Sequence, residues 1–231
     1  MHARWVLAAV AMAGIAVADT TLTGTVNGAD GKPVAGVEVG TNWQFGREIK
    51  SYGGVKTGED GTFTLVLKYY RAPVALIAFD EARELGAAVV VGDPASPQPL
   101  RLAPLATVSG ELACTDASLS PAGASLQWQF GKARAGNLHA TELKWSTKLP
   151  PGAWNFWVSH RDMETLSKNV EAASGKDLDL GLLKIAPTAL ATLMGKEFPA
   201  WKISDARGVA KTAQPADYRG KWVLIEFWGF W

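Results

Sequence analysis

The sequence holds a single cysteine, Cys114, so no internal disulfide forms and no pair of thiols is present for a dithiol redox cycle. Histidine is almost as scarce. His2, His139 and His160 are scattered, and no metal-ligand spacing links them. Neither sign of charge dominates, with 23 Lys and Arg against 22 Asp and Glu. The basic residues do not cluster, which excludes a nucleic-acid footprint. There is no Gly-x-Ser-x-Gly elbow. Ser174-Gly175-Lys176-Asp177 lacks the earlier glycine of a phosphate loop, and Asp177 stands where that loop needs Ser or Thr. Asp30, Glu59 and Asp60 sit beside glycines as turn residues do, rather than as calcium ligands. No cofactor and no metal is expected.

Long apolar runs are also missing, since a bilayer span needs about 20 residues. The longest candidate, Val6 to Val17, follows Arg4 and ends in Ala16-Val17-Ala18. A short cationic segment, an apolar stretch and a small-x-small site read as a signal peptide over 1–18, cut after Ala18. The chain is therefore expected in the periplasm or outside the cell. Cys114 falls in a strand-like stretch, 108–115, and reads as a half-buried small apolar residue rather than a reactive thiol.

Turn residues and alternating apolar residues, by contrast, are plentiful. Leu22, Gly24 and Val26 alternate with threonines, and Asn27 to Gly31 is a turn cluster. Val34 to Val39 alternates again. Asp60-Gly61 is a tight turn, followed by Phe63, Leu65 and Leu67 in period two. Val74 to Phe79 is a short apolar strand. Strands of this length between frequent turns read as a β-sandwich over 19–91. Residues 92–104 carry Pro94, Pro97, Pro99 and Pro104 and read as a linker. A second sandwich is expected over 105–186. Val108-Ser109-Gly110-Glu111-Leu112 echoes Leu22-Thr23-Gly24-Thr25-Val26, and Pro121 to Leu126 echoes Pro33 to Val37. Leu149 to Val158 and Asp177 to Ile185 supply its later strands.

The first of these units resembles a known family. Gly24 to Val26, then Asp30-Gly31-Lys32-Pro33-Val34-Ala35-Gly36, then Thr57 to Leu65 around Asp60-Gly61, is similar to the carboxypeptidase regulatory-like domain. The resemblance implies a prealbumin-like or Ig-like β-sandwich.

The chain changes character after a short connector at 186–194. Trp222 to Trp228 is apolar except for Glu226, as in a strand buried on both faces of an α/β sheet. Gly195, Lys196 and Pro199, then Gly220-Lys221, then Phe227, Trp228 and Trp231, resemble the opening of a redoxin or TlpA-like thioredoxin domain. In that family Cys-x-x-Cys comes next, whereas this sequence stops at Trp231. The resemblance implies an exported thiol-disulfide oxidoreductase as the full-length product, with this chain an inactive N-terminal part. Its partners would be protein thiols and disulfides, or peroxide. The catalytic thiolate would sit at a helix N-terminus beyond Trp231. By the same resemblance Glu226 would accept the proton of the resolving cysteine and Trp231 would flank the site. The alternative for Glu226 is a carboxylate satisfied by a nearby Lys or water.

The expected fold is thus mainly β: two tandem Ig-like or prealbumin-like sandwiches, then the truncated start of an α/β thioredoxin-like domain over 187–231. The alternative function is a non-catalytic secreted β-sandwich protein with a binding or structural role. Ten tryptophans bear on that choice. Trp128, Trp145, Trp154 and Trp157 fall in the second sandwich, where Trp154 and Phe156 share one strand face and Trp157 takes the other. Packing is the expected role of the cluster, and a face for carbohydrate or a protein partner is the alternative.

Overall fold

A computed structural model describes residues 19–68, 70–224 and 226. The expected signal peptide, 1–18, lies outside them. The described chain is almost entirely β.

The first half contributes β1 (Thr20–Asn27), β2 (Glu38–Gly40), β3 (Trp43–Gln44), β4 (Lys50–Ser51), β5 (Val55–Lys56), β6 (Thr62–Leu67), β7 (Val74–Asp80), β8 (Leu85–Val91), β9 (Gln98–Arg101) and β10 (Ala103–Pro104). The second contributes β11 (Ala106–Cys114), β12 (Ala124–Phe130), β13 (Ala133–Ala140), β14 (Lys144–Leu149), β15 (Gly152–His160), β16 (Met163–Ala172) and β17 (Leu178–Ile185). One short helix, α1 (Ala189–Leu193), follows, capped by the Thr188 hydroxyl.

The two halves repeat one topology. In the first, β1 pairs antiparallel with β6 and parallel with β9, while β5, β2, β7 and β8 run side by side. In the second, β11 pairs antiparallel with β14 and parallel with β17, while β13, β12, β15 and β16 run side by side. The echoed glycines occupy equivalent places. Gly24 faces Phe63 across the ladder and Gly110 faces Trp145. A Cβ on Gly24 would lie 2.7 Å from the Phe63 ring, and one on Gly110 3.0 Å from the Trp145 ring. Each glycine thus leaves room for a cross-strand aromatic to lie over the strand, and both rings are buried.

Residues 92–104, expected as a linker, hold β9 and β10. Pro99 is accommodated because β9 stands at the edge of its sheet, where a missing N–H breaks no inner ladder. The halves are also joined laterally. The excursion 41–54 between β2 and β5 lays β3 parallel against β13, with Trp43 opposite Gly136, and β7 adds a bridge from Val74 to Arg134. Eleven strands therefore form one continuous sheet, flanked by two three-stranded sheets. Strand β7 is buried on both faces: Leu76 and Ala78 face the first core, while Ala75, Ile77 and Phe79 face the second.

The tail departs most from expectation. In place of a thioredoxin-like α/β opening, residues 195–224 form no strand, only a 3-10 turn over Pro215–Tyr218. The strand expected over 222–228 is absent at its described positions, and Trp222 and Leu224 are fully exposed. An apolar run becomes a strand only where a neighbouring strand completes its ladder, and no described strand pairs with this one. The redoxin reading, with its thiol, disulfide and peroxide partners, is withdrawn on this backbone. What the tail does form is a small local cluster: Trp201 packs edge-on against Phe198 and Tyr218 at about 6 Å, and its indole N–H donates to the Ala213 carbonyl.

Candidate functional site

The residues singled out in the sequence do not converge. Cys114 is half-buried at the end of β11 with no second thiol beside it. His139 is exposed on β13, and His160 is partly buried at the end of β15. Asp30 and Asp60 serve their own turns: Asp30 accepts from the Lys32 N–H, and Asp60 from the Thr62 hydroxyl and N–H. The Thr62 hydroxyl, then its N–H, hold the Asp60 carboxyl below the usual range, and the Ser118 hydroxyl and N–H do the same for Asp116. Glu226 is exposed in irregular backbone, and Trp231 lies outside the described residues.

Four of the ten tryptophans, Trp43, Trp128, Trp145 and Trp154, do converge, in the core where the two halves meet. Trp43 and Phe45, from the excursion, enter the second core with Phe79, Trp128 and Trp154. Their rings meet edge to face, with centroids 4.8 Å apart for Trp43 and Phe79 and 6.0 Å for Phe45 and Trp154. The Trp43 indole N–H donates to the Gly40 carbonyl at 3.1 Å, and the Phe45 N–H to the Asn137 carbonyl at 2.8 Å. Sequence reading missed this excursion. Its one signal was an aromatic pair at positions two apart, Trp43 and Phe45, between two turns.

Beside the seam lies a cleft of about 330 Å³ with walls from both halves, including Glu38, Lys56, Asp80, Leu105, Thr147 and Lys148. Three of its charges are satisfied within the fold. Glu38 accepts from the Ser51 hydroxyl, Asp80 pairs with Arg83 at 2.9 Å, and Lys148 pairs with Glu84. Of these pairs, Lys148 with Glu84 crosses from one half to the other and fastens the joint. The Thr147 hydroxyl, 2% exposed, has no hydrogen-bond partner among the described residues.

The second half also presents a broad polar surface, the outer face of β13, β12, β15 and β16. Strand alternation sends Trp154, Phe156 and Val158 inward and Asn155, Trp157 and Ser159 outward. The register then builds cross-strand rows. Trp157 lies between Gln127 and Ser167, with Asn137 beyond Gln127. In the next row Asn155 lies between Gln129 and Asn169, with Arg134 at the margin. The Asn155 amide donates to Asn169 at 2.8 Å and to the Ser167 hydroxyl at 3.2 Å. Thus Trp128, Trp145 and Trp154 are buried packing residues, and Trp157 is half-buried on the other side of the sheet.

No helix among the described residues is long and apolar enough to cross a membrane. No protein-family model matches the chain, and no curated protein matches it. Solved structures do align with it. A streptococcal ancillary pilin aligns at 10% identity over 74% of this chain, with a TM-score of 0.33, and the chain covers 63% of that protein's length. A minor pilin of Streptococcus agalactiae aligns at 9% identity over 79% of this chain and 100% of its own, with a TM-score of 0.37. A shaft pilin of Lactobacillus rhamnosus aligns at 7% identity over 74% of this chain and 99% of its own, with a TM-score of 0.32. None of the three is a thioredoxin-like oxidoreductase.

Proposed function

We propose that this is an exported, non-catalytic β-sandwich protein whose work is structural, exercised through contacts with other proteins. The observation that carries the reading is the seam. A strand excursion, a shared sheet and a common aromatic cluster join two sandwiches into one body. Inter-domain contacts are ordinarily modest and polar, and leave domains free to move. An aromatic core spanning both units resists such movement, as a spacer or scaffold element requires.

The finer organisation belongs to the same reading. Two Ig-like or prealbumin-like units meet near residue 105, the first including β9 and β10, the second running to about residue 186. Residues 1–18 act as a leader cut after Ala18 and deliver the chain to the periplasm or beyond. Open strand edges offer a partner protein its purchase, since an unpaired edge accepts another strand. Val66 on edge strand β6 and Leu182 on edge strand β17 are both about half exposed, at 53% and 52%.

The test is site-specific photo-crosslinking in cells that express the chain with its own leader. A crosslinker at Val66 or Leu182 is expected to give a discrete protein adduct in the extracytoplasmic fraction. A chain retained in the cytoplasm, or no adduct from either position, would overturn the proposal.

A further inference from the structure

The outer face of the second sandwich has a composition unlike the strand edges. We infer that it is a binding site for an uncharged oligosaccharide, with Trp157 as its platform. The inference goes beyond the structural reading above and uses a different surface.

Strands about 4.8 Å apart, with outward residues about 7 Å apart along each, make a regular grid of side chains. Around Trp157 that grid holds Gln127, Asn155 and Ser167, with Asn137 and Asn169 one step further out. Every one of these groups is neutral; the Asn155 N–H groups are already given to Ser167, Lys168 and Asn169, so that side chain meets a ligand through its oxygen, and the other amides of the face carry both donors and acceptors. Of the charged or titratable side chains of the same face, Arg134 and Glu171 stand at its margins, and His139 lies opposite Ser125, 3.0 Å from the Asn137 amide.

This pattern selects among ligands. A phosphate-bearing or acidic ligand needs cations at the centre, and the cation that these two rows carry, Arg134, stands at the margin. A protein hot spot needs several clustered apolar anchors, whereas this face has one aromatic ring. A sugar ring presents both chemistries the face supplies. Its hydroxyls donate to and accept from amides, and its C–H face packs on a flat indole. The amides are also partly ordered in advance. Asn155 is held by Asn169 at 2.8 Å, and Lys168 accepts a further bond from the same amide through its carbonyl at 3.2 Å. That ordering lowers the entropy lost on binding.

The site is separable from the fold. Trp157 is on the side of β15 away from the core, so its removal opens no cavity among Trp154, Phe156 and Val158. The experiment uses the full chain on a printed array of uncharged and acidic glycans. Isothermal titration with the best uncharged hit follows. The expected result is binding to at least one uncharged glycan, weakened roughly tenfold or more by Trp157→Ala, the loss of one anchoring ring. Gln127→Ala is the second variant, expected to weaken binding without altering the circular dichroism spectrum. The inference is overturned if the wild-type chain binds no uncharged glycan, if it binds acidic glycans alone, or if both variants bind as tightly as wild type.

Discussion

Gly136 is the position where a single methyl group tests the seam. It lies opposite Trp43 where β3 meets β13, and a Cβ built on it overlaps the Trp43 carbonyl oxygen. The same Cβ would lie 2.7 Å from the Trp43 carbonyl carbon and 2.9 Å from the Phe45 ring. Two of these neighbours are backbone atoms, so no rotamer change relieves the clash. Gly136→Ala therefore forces β3 off the edge of β13. The smallest response is a retreat that strains the packing, at about 1–3 kcal/mol, and breaks the Phe45 N–H bond to Asn137, at about 1 kcal/mol. The largest is release of the whole excursion, exposing Trp43 and Phe45, each of which is worth about 3–5 kcal/mol on truncation. The expected loss is thus at least about 2 kcal/mol, a large fraction of the 5–15 kcal/mol typical of a folded domain. Urea unfolding followed by tryptophan fluorescence and by far-ultraviolet circular dichroism reads it. The wild-type curves should coincide, and those of the variant should shift to lower urea and separate as the halves uncouple. Gly92→Ala is the control, because a Cβ there meets nothing within 4 Å. A Gly136→Ala protein within about 0.5 kcal/mol of wild type, with coincident curves, would refute the claim that the excursion holds the halves together.

Three further outcomes follow from particular residues. Thr147→Val should raise stability by about 1 kcal/mol, because it replaces a buried, unpartnered hydroxyl with a methyl group of the same shape; unchanged or lower stability in urea would mean the hydroxyl is bonded. Ending the chain after Met194 should leave the melting temperature of the sandwiches within about 2 °C, since residues 195–224 add no strand to any sheet, and a larger fall would place the tail in their core. The Asp60 and Asp116 carboxyls should titrate below the ordinary aspartate value of about 3.9, as followed by carbon NMR, and Thr62→Ala should move Asp60 back up. Both pKa values are depressed in the folded state. Their contribution to stability is therefore present above about pH 4 and lost as the pH falls through the folded values.

The strands most legible in the sequence were those whose alternation reports a nearby core. Phe63 and Leu65 on β6, Trp154 and Phe156 on β15, and the glycines of β1 and β11 all took the faces their spacing dictates, because a two-residue period leaves only two choices. The topological repeat was visible in part, through Gly24 and Gly110, since close approach of an aromatic demands glycine locally. The tail misled because a strand is completed by its neighbours, and the run from Trp222 to Leu224 carries strand chemistry without a described partner. The Pro-rich stretch misled for the opposite reason. Proline forbids an inner strand, not an edge, and which strands are edges is a property of the assembled sheet.

By itself, then, the sequence determined the β class, the inward and outward faces of its clearest strands, and the absence of a thiol pair. Each depends on residue identity or on neighbours one or two positions away. Only the tertiary structure decided that Trp43 and Phe45 complete the core of the other half, that Gly136 must be bare to admit them, and that Trp157 stands within a field of neutral amides. Those facts rest on contacts between residues 30 to nearly 100 positions apart, whose register no local pattern encodes.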